Sequence, residues 1–348
     1  MKVNRMVTVK NALILVGILV TSSLLMITNV AVSKPVTVSP KSERITLSQG
    51  IRYPNGITHD KNGALYIGSV VSGNILKKME NGKQEIIFKE TDDVFAGTSL
   101  RYDPLTDILW VASPDFLGVT DEEGNVTRRP HRIAAIDLSS RQLIKIWLIP
   151  DGGFGNDIAL DATGGIYVTD SIKDRVYHLS SKSSEFRVLL ESKLFTPGRL
   201  GPAGIAVLPN DDLIIGLYSD GGLVQVTQSK NGSSPEIHRL KLKRPLENPD
   251  GLHSLPDGRL LVLEGASKSG DGRLSLIDLN TQPPYSVKTL VNDIESPLNL
   301  TLKGNKLFIT ESRLRHILLN DAKMAVPQEF FLRKIDINSK VYEGIYVE

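Results

Sequence analysis

The sequence predicts an all-β fold, a single six-bladed β-propeller, and three observations carry that prediction. The stretch 155–180, GNDIALDATGGIYVTDSIKDRVYHLS, reads as three short strands separated by two polar turns. The same unit recurs six times, and helical periodicity is almost absent. A strand–turn–strand–turn–strand unit buries little by itself, so a chain that repeats it must stack the copies.

Within that stretch Ile158-Ala159-Leu160 opens a strand and Thr163-Gly164-Gly165 turns it. Ile166–Thr169 is β-branched and aromatic and stops at Asp170, and a turn at Lys173-Asp174 leads into Arg175–Leu179. Equivalent opening segments are YPNGITHD (53–60), AGTSLRYD (96–103), FGNDIALD (154–161), GPAGIAVL (201–208), NPDGLHSL (248–255) and SPLNLTLK (296–303). After a turn each leads to an apolar strand: ALYIGS (64–69), ILWVAS (108–113), GIYVTD (165–170), DLIIGL (212–217), RLLVLE (259–264) and KLFITE (306–311). Taking Asn55, Thr98, Asn156, Ala203, Asp250 and Leu298 as equivalent gives spacings of 43, 58, 47, 47 and 48 residues. Those are blade lengths, and the long second one implies an insertion around residues 118–132. The best helical candidates, 191–194 and 321–328, are short. The ring is expected to close through its termini, with SERITL (42–47) and KVYEGIYV (340–347) as the free strands that hide an edge.

The ends of the chain are read separately. Lys2, Arg5 and Lys10 precede an uncharged apolar run that ends in Ala31-Val32-Ser33, so 1–33 is read as a signal peptide or an uncleaved membrane anchor. Residues 34–41 form a tether, and 42–348 the propeller. The body is therefore expected to be exported, periplasmic or secreted, with membrane contact only through the N-terminus. With no cysteine in 348 residues, disulfides and thiol chemistry are excluded. A charge balance of 41 basic against 39 acidic residues leaves no footprint for nucleic acid. The expected partner is a small molecule.

In a propeller the first strand of each blade lines the channel, and its opening residues converge at one end. Asn55, Asn156 and Asp250 there, with Thr98, form an oxygen-rich ring of the kind a hard cation such as Ca²⁺ takes. The plainer reading of Pro-Asn-Gly and Pro-Asp-Gly is a turn entering a strand. A second ring, Ser69, Ser113, Asp170, Leu217, Glu264 and Glu311, closes the second strands. Acids there commonly cap the following turn, as expected of Asp170. Asp157, Asn299, Glu264 and Glu311 are candidate supporting groups. The six histidines show no metal-ligand spacing; His59 and His253 share a blade position and could face the channel, although satisfied structural histidines are the plainer reading. No Gly-x-Ser-x-Gly elbow is present. Asn125 and Asn231 head glycosylation-type triplets.

FGNDIALDATGGIYVTDS, then GPAGIAV, then NPDGLHSLPDGRLLV resembles the regucalcin/gluconolactonase family, part of the six-bladed superfamily that includes paraoxonases and strictosidine synthase. The resemblance spans about 45–320 as a repeat and is specific in blades three to five. It implies a divalent cation, usually Ca²⁺, at the channel mouth, polarising a lactone or ester carbonyl. Carried over, Asn156 and Asp250 are metal ligands and Asp250 is also the general base. The family's first-blade Glu is replaced by Asn55, and its Pro-Asn-Gly amide by Ala203, which predicts weak binding because affinity follows ligand charge. HRIAAIDLSSRQLIKIWLIP, with NDIALD and YVTDS, is also similar to the yellow/royal-jelly family of secreted ligand-binding propellers. Three functions follow: an exported, metal-dependent lactone or ester hydrolase; a non-catalytic propeller binding a small molecule or protein at the same mouth; and a metal-free enzyme using Glu264 or Glu311.

Overall fold

The computed structural model describes residues 42–195, 199–228, 234–321 and 323–337. The expected leader, tether and closing strand 340–347 lie outside them. Six four-stranded antiparallel sheets make the six blades. Their inner strands are Pro54–His59, Ser99–Asp103, Gly155–Leu160, Pro202–Val207, Pro249–Ser254 and Pro297–Lys303. The apolar second strands fall where the sequence places them, as Leu65–Ser69, Ile108–Ser113, Ile166–Asp170, Leu213–Leu217, Arg259–Glu264 and Lys306–Glu311.

The ring closes through its N-terminus, with a different partner from the one expected. Ser42–Thr46 is the outermost strand of blade six and pairs with Phe331–Asp336, a third strand that the sequence reading missed. The blade-two insertion is a small hairpin, Val119–Thr120 against Val126–Thr127. The expected helix over 321–328 does not form; a single helical turn lies earlier, at Arg315–Leu318, and a 3₁₀ turn at Lys193–Phe195.

Each strand alternates its side chains between two faces, and in a blade both faces meet a neighbouring blade. The core is accordingly divided into six wedges, one between each adjacent pair. Leu100, Leu109 and Val111 of blade two meet Tyr66 and Ile75 of blade one, for example, and Ile57 and Ile67 on the other face meet Phe308 and Leu332 of blade six. Truncating one of these fully buried side chains to Ala costs about 2–5 kcal/mol.

The inner strands share one irregularity that places the site. In five blades the pairing slips by one residue directly after the first position, between Pro54 and Ile57, Gly155 and Ile158, Pro202 and Ile205, Pro249 and Leu252, and Pro297 and Leu300. A bulge inserts an unpaired residue and re-aims its side chain. Here it leaves Asn55, Asn156, Asp250 and Leu298 lining the cavity at the axis.

Candidate functional site at the channel mouth

The bulges explain the Asn-Gly and Asp-Gly pairs better than a turn does. Gly56 and Gly251 lie inside strands, without the left-handed backbone that demands glycine in a turn. What excludes a side chain is the next blade. A Cβ on Gly56 would stand 2.8 Å from the Gly97 carbonyl, one on Gly251 2.7 Å from the Leu298 carbonyl, and one on Gly204 would run into the Asp250 carbonyl. The glycines let inner strands approach around the axis and leave the preceding residue facing the mouth.

Three blades carry a polar residue at that glycine position: Ser99, Asp157 and Asn299. They tie the channel shut beneath the mouth. Asp157 is buried and accepts hydrogen bonds from Ser99 Oγ (2.6 Å), Arg101 Nη2 (3.0 and 3.2 Å), the Ile158 and Ile205 amides (both 3.0 Å) and Asn299 Nδ2 (3.4 Å). Asn299 Oδ1 in turn accepts from the Leu300 amide. Neither side chain faces the mouth, so neither replaces the ligands that Asn55 and Ala203 lack relative to the family pattern.

Above this knot lies a cavity of about 70 Å³. It brings together Asn55, Thr98, Asn156 and Asp250 from the first ring, as the repeat predicts, with Leu298 beside them. Thr98 spends its hydroxyl on backbone, donating toward the Ala112 and Asn156 carbonyls. Asn156 donates from Nδ2 to Ser171 Oγ at 2.9 Å, and Ser171 passes a hydrogen bond on to the Pro202 carbonyl at 2.6 Å. That chain fixes the amide and leaves Oδ1 without a partner among the described residues. The Asn55 amide and the Asp250 carboxyl accept no hydrogen bond among the described residues. Asp250 is held well above the ordinary carboxylate range by burial and then by the negative charge of Asp157.

The second ring behaves differently. Asp170 accepts from the Phe154, Ile172 and Lys173 amides and from Tyr177 Oη, which is the capping role expected of it. Glu264 and Glu311, offered as supporting groups, sit outside the cavity, their buried carboxylates paired with more exposed arginines. Arg244 grips Glu264 with two nitrogens at 2.7 and 2.9 Å, and Ser275 and the Glu247 amide complete its shell. Burial alone would raise the pKa of Glu264; the Arg244, Ser275 and Glu247 bonds outweigh it and hold the group below its ordinary value. Glu311 lies between Arg333 (2.6 Å) and Arg44 of the closing N-terminal strand (2.8 Å). These contacts leave neither carboxylate free for acid–base work at the axis.

The cavity takes the next residue of that ring instead: Val70, Ser171 and Tyr218. Strand alternation is the reason, because one step along a strand reverses the face. Tyr218 is the group the sequence reading missed; burial and then the charge of Asp250 raise its pKa. The rim is apolar. Phe116 lies just before the blade-two insertion and packs edge-on against Phe154, with Leu200, Leu314 and Leu318 around them.

The donor set is a hard one, a carboxylate and two amide oxygens, and the unpartnered Asp250 carboxyl lacks a counter-charge of its own. Those residues fit a divalent cation with open coordination positions. Groups of three or more His, Cys, Asp or Glu that suit a metal are absent among the described residues, so the fit rests on the amides.

No family model and no curated protein matches the chain in sequence. Solved structures do match it in fold. A gluconolactonase from Xanthomonas campestris superposes with a TM-score of 0.61 at 14% identity, over 88% of this chain and 94% of that one. A streptogramin B lyase gives 0.58 at 15% identity, over 86% and 98%. Virginiamycin B lyase from Staphylococcus aureus gives 0.56 at 14%, over 86% and 99%. At such identities the likeness establishes architecture and leaves chemistry to the site. The chain is a six-bladed β-propeller with gluconolactonases and virginiamycin B lyases among its structural neighbours.

Proposed function

We propose that the mouth holds a divalent cation, Ca²⁺ for preference, between Asn55, Asn156 and Asp250, and that the exported body hydrolyses a lactone or ester there. The observation that carries this reading is the half-buried Asp250 carboxyl, which lines the cavity beside two amide oxygens and, like them, has no hydrogen-bond partner among the described residues. A cation bound there supplies Lewis-acid polarisation of a carbonyl oxygen. Asp250 takes a proton from the attacking water at a carboxyl oxygen. The water oxygen bonds to the carbonyl carbon, the C–O ester bond breaks, and Asp250 returns the proton to the departing alcohol oxygen. Asn55 and Asn156 orient the reacting group, while Phe116, Phe154 and Leu314 exclude bulk water.

The second reading is a ligand-binding propeller without catalysis, favoured by Ala203, which offers no side-chain oxygen, and by Leu298, which puts carbon in the cavity wall. Thermal melts in chelator and in rising Ca²⁺ test the cation. A concentration-dependent rise in Tm that Asp250→Asn abolishes supports it. No shift at millimolar Ca²⁺ sinks it. With the shift in hand, a panel of lactones and aryl esters separates the two readings, since a pure binder is protected from unfolding by its ligand and turns nothing over.

A further inference from the structure

The channel has a second mouth, formed where the inner strands end, and it is the larger one, about 410 Å³. Its floor is the far side of the Asp157 knot. His59, Lys61, Arg101 and His253 line it, with the hydroxyls of Thr58, Ser254 and Thr301 between them. Pairing register corrects one expectation from sequence: His253 lies opposite Leu261 and is equivalent to Thr58, which lies opposite Tyr66, so His59 corresponds to Ser254. The two imidazoles are one step out of phase, yet both reach this mouth.

The acidic groups nearby are already engaged. Asp60 is spent on the Asn62 and Ala64 amides and on Tyr66 Oη, each at 2.9 Å. Asp157 is enclosed by the knot. The donors are less fully used. Arg101 gives Nη2 to Asp157 and one Nη1 hydrogen to the Leu100 carbonyl, and its Nε–H has no partner among the described residues. A guanidinium carries five N–H donors, so donors remain. His59 is held through Nδ1 by Thr301 Oγ1 at 2.8 Å, which leaves Nε2. His253 makes no hydrogen bond from either ring nitrogen among the described residues. Burial and then the positive surroundings of Arg101 and His59 push its pKa down to about 4. A roomy cavity that gathers unspent N–H donors, and whose acids are satisfied elsewhere, is complementary to negative oxygen.

We propose that this far mouth is a binding site for a small oxyanion, a carboxylate or phosphate group, held by His253, His59 and Arg101 with Lys61 at the rim. The site is independent of the near-mouth chemistry, from which the knot divides it.

The test uses the folded protein with inorganic phosphate and with succinate as probes, against chloride at matched ionic strength. Expected is a rise in Tm with phosphate or succinate concentration that chloride does not reproduce; the stronger of the two identifies the source. In the same titration the imidazole NMR signals of His59 and His253 should move together. His253→Ala should weaken phosphate binding by about tenfold, the loss of one good hydrogen bond to an anion. Lys61→Ala, at an exposed position, is the second variant and should weaken it by a few-fold. Equal shifts with chloride, or phosphate binding that leaves both imidazoles unmoved, overturn the proposal. Neither outcome depends on any variant folding, and neither bears on the Ca²⁺ melts.

Discussion

The two mouths of one channel are built from the same six strands and have opposite character. At the strand starts, bulges aim Asn55, Asn156 and Asp250 into about 70 Å³ beneath an apolar rim, and the net formal charge is negative. At the strand ends, where pairing is regular, His59, Lys61, Arg101 and His253 surround about 410 Å³. Between them stand the three side chains that replace glycine, Ser99, Asp157 and Asn299. The difference shows how a repeat that is uniform in backbone specifies two sites: the bulge decides which residue faces the axis, and departures from glycine decide where the channel is sealed.

The largest effect is expected at the seal. Asp157→Ala removes the partner of a guanidinium whose side chain is only 17% exposed and leaves the Ile205 amide without its acceptor. Breaking a buried pair by deleting one member costs about 3–5 kcal/mol. Urea denaturation at neutral pH should show that loss, with Asp157→Asn recovering part of it. A cost below about 1 kcal/mol would mean that something other than this knot divides the mouths.

The next effect sharpens the negative end. An acid half-buried without a hydrogen-bond partner among the described residues destabilises its fold when ionised, and Asp250 is such an acid. In chelator Asp250→Asn should therefore be more stable than the parent, by about 1–3 kcal/mol. Added Ca²⁺ should close that gap from the parent's side alone. A variant less stable than its parent in chelator would show that Asp250 serves the fold through contacts of another kind.

The blade count, the second strands and the first ring were legible because each is written in contiguous sequence six times over. What was illegible depended on parity or on distance. Glu264 and Glu311 looked available because nothing local pairs them; Arg244 lies twenty residues from Glu264, and Arg44 comes from the opposite end of the chain. Tyr218 was missed by one step of strand alternation, on which face depends entirely. Asp157 looked like a spare ligand, and only the folded ring brings Ser99, Arg101 and Asn299 to it. The far mouth has no motif at all, since its residues fall at the ends of strands dispersed between Thr58 and Thr301. Closure was half legible. SERITL was recognised as a free strand, but its partner Phe331–Asp336 alternates weakly and was passed over for a later segment.

The smallest effect concerns the positive end and follows from pH. His253 has a folded-state pKa of about 4, lowered by burial and then by Arg101 and His59, against an unfolded value of 6.5. The fold thus prefers the neutral ring. Its contribution is fully present above the unfolded pKa and is lost as pH falls from there toward the folded one. In a buffer poor in oxyanions, the parent should lose on the order of 1 kcal/mol relative to His253→Gln between about pH 7 and about pH 5. Phosphate should shrink that difference, because a bound anion favours the charged ring. Chemical denaturation of both proteins across that range is the measurement. If they lose stability in parallel, Arg101 and His59 do not make this mouth positive at His253, and the two ends of the channel differ in size and shape rather than in charge.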